Sequence, residues 1–382
     1  MDATERTPEI PLFDLRLSED DIEAVLAVLR SGWLTMGPLT AEFERTFAEH
    51  LGVKHAVAVS SCTAALHLAY LAAGVGPGDE VIVPALTFAA TAAAVVYCGA
   101  DPVFADIVGP HELALDPAAV ERAITPRTKA VCVVHFAGYP AQVEALRALC
   151  DDRGLALIED VAHAPHAHVG GRAVGSFGLA GAFSFFSNKV LACGEGGLLA
   201  TDDDAVAALA RSRRSHGMTS GTWSRHTGET TTYDAEGLGF NYRLDEPRAA
   251  LLLSRFKRLD EETARRRALT RAYRAALADV DGLVVPYSDE DVERSSCYVM
   301  PVLVRDVERR DAIRLELRER HGVQTSIFYP AVHEFTAYRE RYRAESLPHT
   351  EHAARAEITI PLHMAMDAAA QERVVAALED TV

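Results

Sequence analysis

Two residues in the sequence, Asp160 and Lys189, have the types and the setting for chemistry on a bound cofactor. They stand 29 positions apart, and each follows or ends an apolar run that predicts a β-strand. The carboxyl ends of strands in a parallel sheet line one ligand crevice. A lysine amine forms an imine with an aldehyde, and a carboxylate keeps a pyridine nitrogen protonated. The pair therefore predicts a site for pyridoxal phosphate (PLP), with Lys189 as its Schiff-base partner and Asp160 at its pyridine nitrogen.

Each of these residues alone also has an ordinary interpretation, since Asp160 could cap a turn and Lys189 could be a surface lysine. The surroundings of Lys189 favour the chemical one. It lies between the apolar run 182–186 and the glycine-rich run 193–197. A lysine crowded by apolar side chains and backbone favours its neutral, nucleophilic form.

A candidate phosphate site lies where a predicted strand stops in small residues at 59–61 and a helix begins around Thr63 and Ala64. The first backbone donors of a helix are unpaired and its dipole is positive there, so an anion is stabilised. Ordinary capping of the helix by serine or threonine is the alternative. The presence of Lys189 favours phosphate binding.

Phe88 follows the second predicted strand, where its ring could stack on a cofactor or belong to the core. His163 stands three residues after Asp160 and is either a cofactor contact or a core histidine. Its neighbours His166 and His168 do not complete a convincing set of metal ligands, so no metal is predicted.

The elements that must position these residues follow an alternation of short apolar runs with helical stretches rich in alanine and leucine. This alternation is typical of an α/β domain with a mostly parallel sheet covered by helices. Seven strands are predicted, at 55–60, 80–85, 102–106, 130–135, 155–160, 182–186 and 197–201.

The polar, glycine-rich stretch 219–239 has no periodicity and predicts a functional loop. A long helical pattern follows at 247–278. Beyond it, the pattern predicts strands and a helix that suit a small α+β domain, at 298–304, 310–321, 323–327 and 358–361.

We therefore predict two domains. The large PLP-binding α/β domain covers 1–248, with an N-terminal arm over 1–35 whose segment 8–17 is extended. The small C-terminal α+β domain covers 249–382.

The composition excludes some partners. A balance of 38 basic against 55 acidic residues gives a net charge of -17, which works against binding nucleic acid. The sequence does not open with a basic-then-apolar leader, and no apolar stretch reaches the roughly 18 residues of a membrane span. The six cysteines are isolated, as expected of reduced thiols. A cytoplasmic protein with a small substrate is the prediction.

Beyond these residues, nearly the whole chain resembles the DegT/DnrJ/StrS sugar aminotransferase family, within the fold-type I PLP enzymes. The motifs that carry the resemblance appear in order: GWLTMGP (32–38), SCTAAL (61–66), PALTF (84–88), EDVAH (159–163), FSFFSNK (183–189), EGG (195–197), NYR (241–243) and YPAVH (329–333). Cys62, Phe186 and Pro247 depart from the commonest family pattern, but none of them removes a catalytic group.

The resemblance implies a large domain with a seven-stranded, mostly parallel sheet and a role for each matched position around the cofactor ring. Lys189 would carry the cofactor and move the proton. Asp160 would hold the pyridine nitrogen, Phe88 would stack on the ring and His163 would lie beside it.

The resemblance also implies how the phosphate is bound and how subunits associate. Thr63, Ala64 and Ser184 would hold the phosphate. Asn241 would reach the phosphate of the neighbouring subunit's PLP, which implies a homodimer with shared active sites.

Family members mostly aminate nucleotide-linked keto sugars, with glutamate as the usual amino donor. The run that contains Thr35 and the segment from Tyr329 to His333 resemble members that aminate the fourth carbon of the sugar. Arg225, with the basic run 211–216, would supply positive charge for a diphosphate.

The resemblance thus implies a transaminase of deoxyamino sugar biosynthesis that cycles through pyridoxamine phosphate. Its acceptor would be a dTDP-4-keto-6-deoxyhexose. A sugar 3-ketone or a keto-cyclitol remains an alternative acceptor. A PLP-binding regulatory protein without turnover is an alternative of another class, which the intact Lys189 and Asp160 disfavour.

Overall fold

A computed structural model describes residues 10–344 and 346–382 of the chain. Its strands, in chain order, are β1 (His55–Val59), β2 (Glu80–Pro84), β3 (Asp101–Ala105), β4 (Ile107–Gly109), β5 (Glu112–Leu115), β6 (Thr128–Val134), β7 (Ala156–Asp160), β8 (His168–Val169), β9 (Arg172–Ala173), β10 (Ala180–Ser184), β11 (Gly197–Thr201), β12 (Leu283–Val284), β13 (Met300–Val304) and β14 (Glu357–Ile360).

The helices surround these strands. In chain order they are α1 (Glu19–Ser31), α2 (Pro38–Leu51), α3 (Cys62–Ala72), α4 (Ala90–Tyr97), α5 (Pro117–Ala123), α6 (Val143–Arg153), α7 (Asp204–Arg213), α8 (Thr222–His226), α9 (Glu246–Phe256), α10 (Leu259–Leu277), α11 (Asp289–Arg294), α12 (Arg310–Glu319), α13 (Pro348–Ala356) and α14 (Ala368–Thr381).

The main sheet contains seven strands in the order β1-β11-β10-β7-β6-β2-β3. Strand β11 is antiparallel to both of its neighbours, and the remaining pairs are parallel. All seven strands predicted from the sequence are confirmed, and so is the α/β fold. The carboxyl ends of β7 and β10 lie side by side, because Ala182 pairs with Asp160.

Helices cover both faces of this sheet, which explains why its strands read as unbroken apolar runs. Along β2, Val81 and Val83 pack into one cluster with α3 and α4, whereas Ile82 packs into another with α5 and α6. This alternation follows from the two-residue period of a strand.

The helical pattern at 247–278 was predicted as one helix, and this prediction was wrong. The structure has α9 and α10, with a break at Lys257 and Arg258. The buried Asp21 of α1 binds both sides of the break, accepting hydrogen bonds from Ser254 Oγ at 2.7 Å and from Arg258 at 2.8 Å. These tertiary contacts fix the break.

The strand predicted at 323–327 is also wrong. Val323 forms an isolated bridge with Ile10, and Ser326 forms another with Thr359 of β14. The segment therefore bonds to two different neighbours in turn and builds no ladder with either of them.

A second, antiparallel sheet joins β12, β13 and β14. The extended arm reaches this part of the molecule, since Ile10 N–H donates to Gly322 O and Gln324 N–H donates to Ile10 O, both at 3.0 Å. Residues 1–9 of the predicted arm lie outside the described residues. The domain boundary at 248 stays a prediction.

Candidate active site

A cavity of about 370 Å³ opens at the carboxyl ends of β7 and β10. It brings together seven of the predicted site residues, which come from five separate stretches of the chain. They are Thr63, Phe88, Asp160, His163, Ser184, Lys189 and Tyr329.

Lys189 is held in the loop that joins β10 to β11. Phe185 anchors this loop, because its N–H donates to Gly196 O and its carbonyl accepts from Cys193 N–H, both at 2.9 Å. Lys189 Nζ lies 4.3 Å from the centre of the Tyr298 ring. Desolvation lowers the pKa of Lys189 from 10.5 to about 8, although the negative charge of Asp160 opposes this shift.

The lowered pKa of Lys189 has a measurable consequence. Only the neutral amine attacks an aldehyde, so we expect the rate at which apoenzyme captures PLP to rise with pH around a midpoint near 8, below the ordinary 10.5. Stopped-flow absorbance would measure this rate. The exposed Lys129→Ala variant should keep the same profile. A midpoint near 10 would contradict the enclosed setting of Lys189.

Asp160 ends β7 and lies buried at the base of the cavity. Its carboxylate accepts hydrogen bonds from Thr91 Oγ1 at 2.8 Å and from Ala162 N–H at 3.1 Å. Burial raises its pKa, while these two donors act in the opposite direction. Within 10–344 and 346–382, no ion pair is found for this carboxylate. A protonated pyridine nitrogen would supply the missing positive partner, so Asp160 fits PLP.

The start of α3 forms another part of the cavity wall. Ser61 caps the helix, since its Oγ accepts from Ala64 N–H at 3.1 Å. Gly197 lies so close that a Cβ there would overlap the backbone of Ser61. The helix dipole and the hydroxyls of Thr63 and Ser184 fit a phosphate. A phosphate contact at Ala64 stays a prediction, because Ser61 already accepts its N–H.

His163 and Tyr329 lie together in the cavity wall. His163 Nδ1 accepts from Ala137 N–H at 3.2 Å, and its Nε2 lies 3.0 Å from Tyr329 Oη. Burial lowers the pKa of His163 well below its ordinary value, and the positive charge of Lys189 adds to the shift. The imidazole is therefore neutral.

Two aromatic side chains at the cavity are exposed. Phe88 is 59% exposed, and its ring centre lies 5.7 Å from that of Tyr329. Phe186 is 43% exposed. Phe88 is thus open to stack on a flat ligand, and the interpretation of this residue as core is wrong.

Besides Ala64, four predicted residues do not line this cavity, and their roles stay predictions. Thr35 lies between α1 and α2, and Asn241 is exposed. Arg225 lies on the short helix α8, within the stretch 219–239 that was predicted as a loop, and donates to Ser220 O at 2.7 Å. His333 Nε2 lies 3.7 Å from Glu351 Oε1.

The sequence reasoning missed several residues in and next to the cavity. Thr91 orients Asp160, and Tyr298 contacts Lys189 through its ring. Asn188 also lines the cavity, and its Oδ1 has no hydrogen-bond partner among the residues described. The spacing of Thr87 and Thr91 at i and i+4 near a strand end could have indicated one partner of Asp160. No sequence signal indicates Tyr298.

Glu159 precedes Asp160 on β7 and serves a different part of the fold. Its buried carboxylate accepts from the backbone N–H groups of Gly175, Phe177 and Gly178 at 2.7–2.8 Å. Glu159 therefore fixes the turn that leads from β7 toward β10.

Glu357, at the start of β14, anchors the segment that carries Tyr329. It accepts from Phe328 N–H at 2.7 Å and from the Thr359 hydroxyl. Burial raises its pKa from 4.5 to about 8, while its hydrogen bonds and the arginines at 310 and 314 oppose the shift.

This raised pKa makes stability depend on pH. The folded state keeps the Glu357 proton between pH 4.5 and 8 while the unfolded state releases it, so the free energy of unfolding falls as pH rises through that window. Glutamine cannot ionise. From pH 5 to 7.5 we expect the Glu357→Gln variant to gain up to about 3 kcal/mol relative to wild type, measured by urea unfolding. Parallel pH profiles would contradict this result.

Neither a metal site nor a membrane-spanning helix is found among the described residues. No group of three or more His, Cys, Asp or Glu in the described part of the chain is arranged to hold a metal ion. None of the described helices is long and apolar enough to span a membrane.

Comparison with known proteins gives a consistent result. A model of the DegT/DnrJ/EryC1/StrS aminotransferase family matches residues 16–379. The spore coat polysaccharide biosynthesis protein SpsC of Bacillus subtilis is 38% identical over 374 residues, which are 96% of this chain and 95% of SpsC.

Solved structures are similar over almost the whole chain. DesV of S. venezuelae, solved in complex with a ketimine intermediate, has 38% identity and a TM-score of 0.90, with 98% of each chain covered. DesI, solved in the presence of its TDP-sugar product, has 34% identity and a TM-score of 0.85, with 96% of this chain and 91% of DesI covered.

Proposed function

Because the chain belongs to the DegT/DnrJ/EryC1/StrS aminotransferase family, we propose that it moves an amino group from glutamate to a nucleotide-linked keto sugar. The acceptor we propose is a dTDP-4-keto-6-deoxyhexose. One observation carries the proposal, namely that Lys189 and Asp160 face the same cavity.

The family resemblance drawn from the sequence motifs is confirmed. The chain is a PLP-dependent sugar aminotransferase of deoxysugar or polysaccharide biosynthesis, and its fold is that of the PLP aminotransferases. We further propose that the cofactor cycles through pyridoxamine phosphate, with glutamate as the amino donor and the dTDP-linked keto sugar as the acceptor.

When bound, PLP supplies an aldehyde for the amine and a ring that withdraws electrons from the reacting carbon. Lys189 would bind the aldehyde and would move the proton at the substrate carbon as acid and base. Asp160 would keep the ring nitrogen protonated, and the start of α3 with Ser184 would hold the phosphate. Phe88 would stack on the ring, and His163 would lie beside it.

Two findings support a nucleotide-linked acceptor. SpsC acts in polysaccharide biosynthesis by its name, and DesI was solved with a TDP-sugar product. In addition, we propose that Arg225 on α8 pairs with the diphosphate. Thr35, Tyr329 and His333 are proposed to contact the sugar.

We also propose a homodimer with shared active sites. Asn241 is exposed and lies outside the cavity of its own chain, so it is free to reach the phosphate in a neighbouring subunit. Phe186 exposes apolar surface at the cavity, which a second subunit would cover. A cytoplasmic location is part of the proposal, since isolated thiols persist reduced there.

The absorption spectrum of the PLP-loaded protein tests the function. Glutamate should bleach the PLP band to that of the pyridoxamine form, and dTDP-4-keto-6-deoxyglucose should then restore it. Restoration by a free keto-cyclitol or a 3-keto sugar alone would replace the proposed acceptor. A band that no amino donor alters would favour a PLP-binding protein without turnover.

A further inference from the structure

An aromatic wall lines the cavity beside Lys189. The Tyr298 ring contacts Lys189 Nζ, and the His163 ring centre lies 4.6 Å from that of Tyr298. Tyr329 follows, bound to His163 through its hydroxyl. Tyr329 is one of the proposed sugar contacts, and the direction of its hydroxyl decides what that hydroxyl can bind.

The hydrogen bonds of His163 fix its tautomer. The backbone N–H of Ala137 donates to Nδ1, so Nδ1 carries a lone pair. In a neutral imidazole the proton is then on Nε2, which donates to Tyr329 Oη.

This donor sets the direction of the Tyr329 hydroxyl. Because Oη accepts from His163, its own hydrogen must point elsewhere. No protein acceptor for that hydrogen is found within residues 10–344 and 346–382. Burial raises the pKa of Tyr329 well above its ordinary value, so the hydroxyl keeps its proton. An unused donor therefore remains at the cavity.

The backbone also holds Tyr329 in place. Glu357 accepts from the N–H of Phe328, the preceding residue, at 2.7 Å. The Tyr329 ring lies 5.7 Å from the ring of Phe88, on which a flat ligand is expected to stack. Tyr329 is therefore held at both ends. His163 bonds to its hydroxyl, and the hydrogen bond from Phe328 N–H to Glu357 holds the adjoining backbone.

We propose that His163 is a positioning residue that fixes Tyr329 as a hydrogen-bond donor to an oxygen of the bound ligand. This inference rests on the proposed function for the identity of that ligand. The oxygen belongs either to the ring hydroxyl of the cofactor or to a substrate, and both are acceptors of the same kind.

The tautomer can be measured without activity. In the apoenzyme labelled with ¹⁵N-histidine, we expect His163 to show an unprotonated Nδ1 and a protonated Nε2 at pH 7.5. The Tyr329→Phe variant should shift the Nε2 resonance, and the exposed Tyr97→Phe variant should not. A protonated Nδ1 would overturn the proposal.

Variants of the loaded enzyme test the donor itself. Losing one such hydrogen bond should lower kcat/KM roughly 10-fold in Tyr329→Phe. His163→Gln, whose amide can still donate, should retain more activity than His163→Leu. The added effect of His163→Leu should shrink at least about 3-fold in the Tyr329→Phe background, because coupled residues are not additive. Equal effects in both backgrounds would overturn the positioning role.

The spectrum separates the two sources of the oxygen. If the cofactor hydroxyl is the acceptor, Tyr329→Phe should raise the pH midpoint of the PLP band by at least about half a unit. If a substrate oxygen is the acceptor, the midpoint stays and kcat/KM falls. An unchanged midpoint together with unchanged kcat/KM would overturn the donor. Failure of glutamate to bleach the wild-type band would contradict the proposed function alone, because the tautomer and the midpoint are read without substrate.

Discussion

Replacing Lys189 with alanine is expected to lower the steady-state rate of amino transfer by roughly 10³-fold. The variant loses both the amine that binds the aldehyde and the group that moves the proton. Lys189 is also the one lysine at this cavity within the described residues. The rate would be measured with saturating glutamate and keto sugar, and the cofactor content determined for each preparation.

Two controls sharpen the Lys189 experiment. Lys129 is exposed on β6, so Lys129→Ala should keep the wild-type rate. A small primary amine such as methylamine should restore part of the rate of Lys189→Ala, because it can enter the space left by the side chain and move the proton. A variant that turned over normally would remove Lys189 from the mechanism.

Replacing Asp160 with asparagine is expected to lower the rate by about 10²-fold, because a preorganised charge at the ring nitrogen is lost. The shape of the site should survive. The asparagine oxygen can accept from Ala162 N–H, and Thr91 can turn its hydroxyl toward Thr87, which lies 2.9 Å away.

The Asp160 experiment needs a measure of cofactor binding beside the rate. Asp160→Asn should still bind PLP, since the phosphate contacts remain, and its melting temperature should stay close to that of wild type. Asp152, an acid on α6 whose side chain is 77% exposed, provides the matched Asp152→Asn control. An Asp160→Asn enzyme with bound PLP and an unchanged rate would exclude the carboxylate from the chemistry.

The main sheet could be predicted from the sequence because its signals are local. Each strand is a short apolar run between turn residues, and burial on both faces removes any need for alternation. The break between α9 and α10 has no such signal. It depends on Asp21, whose partner Arg258 is more than 200 positions away in the chain. The bridges of Val323 and Ser326 are likewise tertiary.

The site shows the same contrast between local sequence signals and tertiary contacts. Asp160 and Lys189 were predictable because both stand near strand ends, which the topology brings together. Tyr298 reaches the cavity only through packing and has no recognisable pattern, whereas the i, i+4 spacing of Thr87 and Thr91 was a local signal for the partner of Asp160. Tyr329 was predicted as a substrate contact, but its bond to His163 required coordinates.

Glu159 and Asp160 are consecutive residues of β7 with different roles. Glu159 holds the turn before β10, and Asp160 faces the cavity. A mutational scan scored only by growth would rank both positions as intolerant, and a reader would assign both to catalysis. Their defects would differ in kind. Changes at Glu159 release the turn at 175–178 and should reduce the amount of folded protein in the cell, whereas Asp160→Asn should leave abundance intact. Measuring abundance and growth together would therefore distinguish Glu159, which supports folding, from Asp160, which is proposed to act on the cofactor.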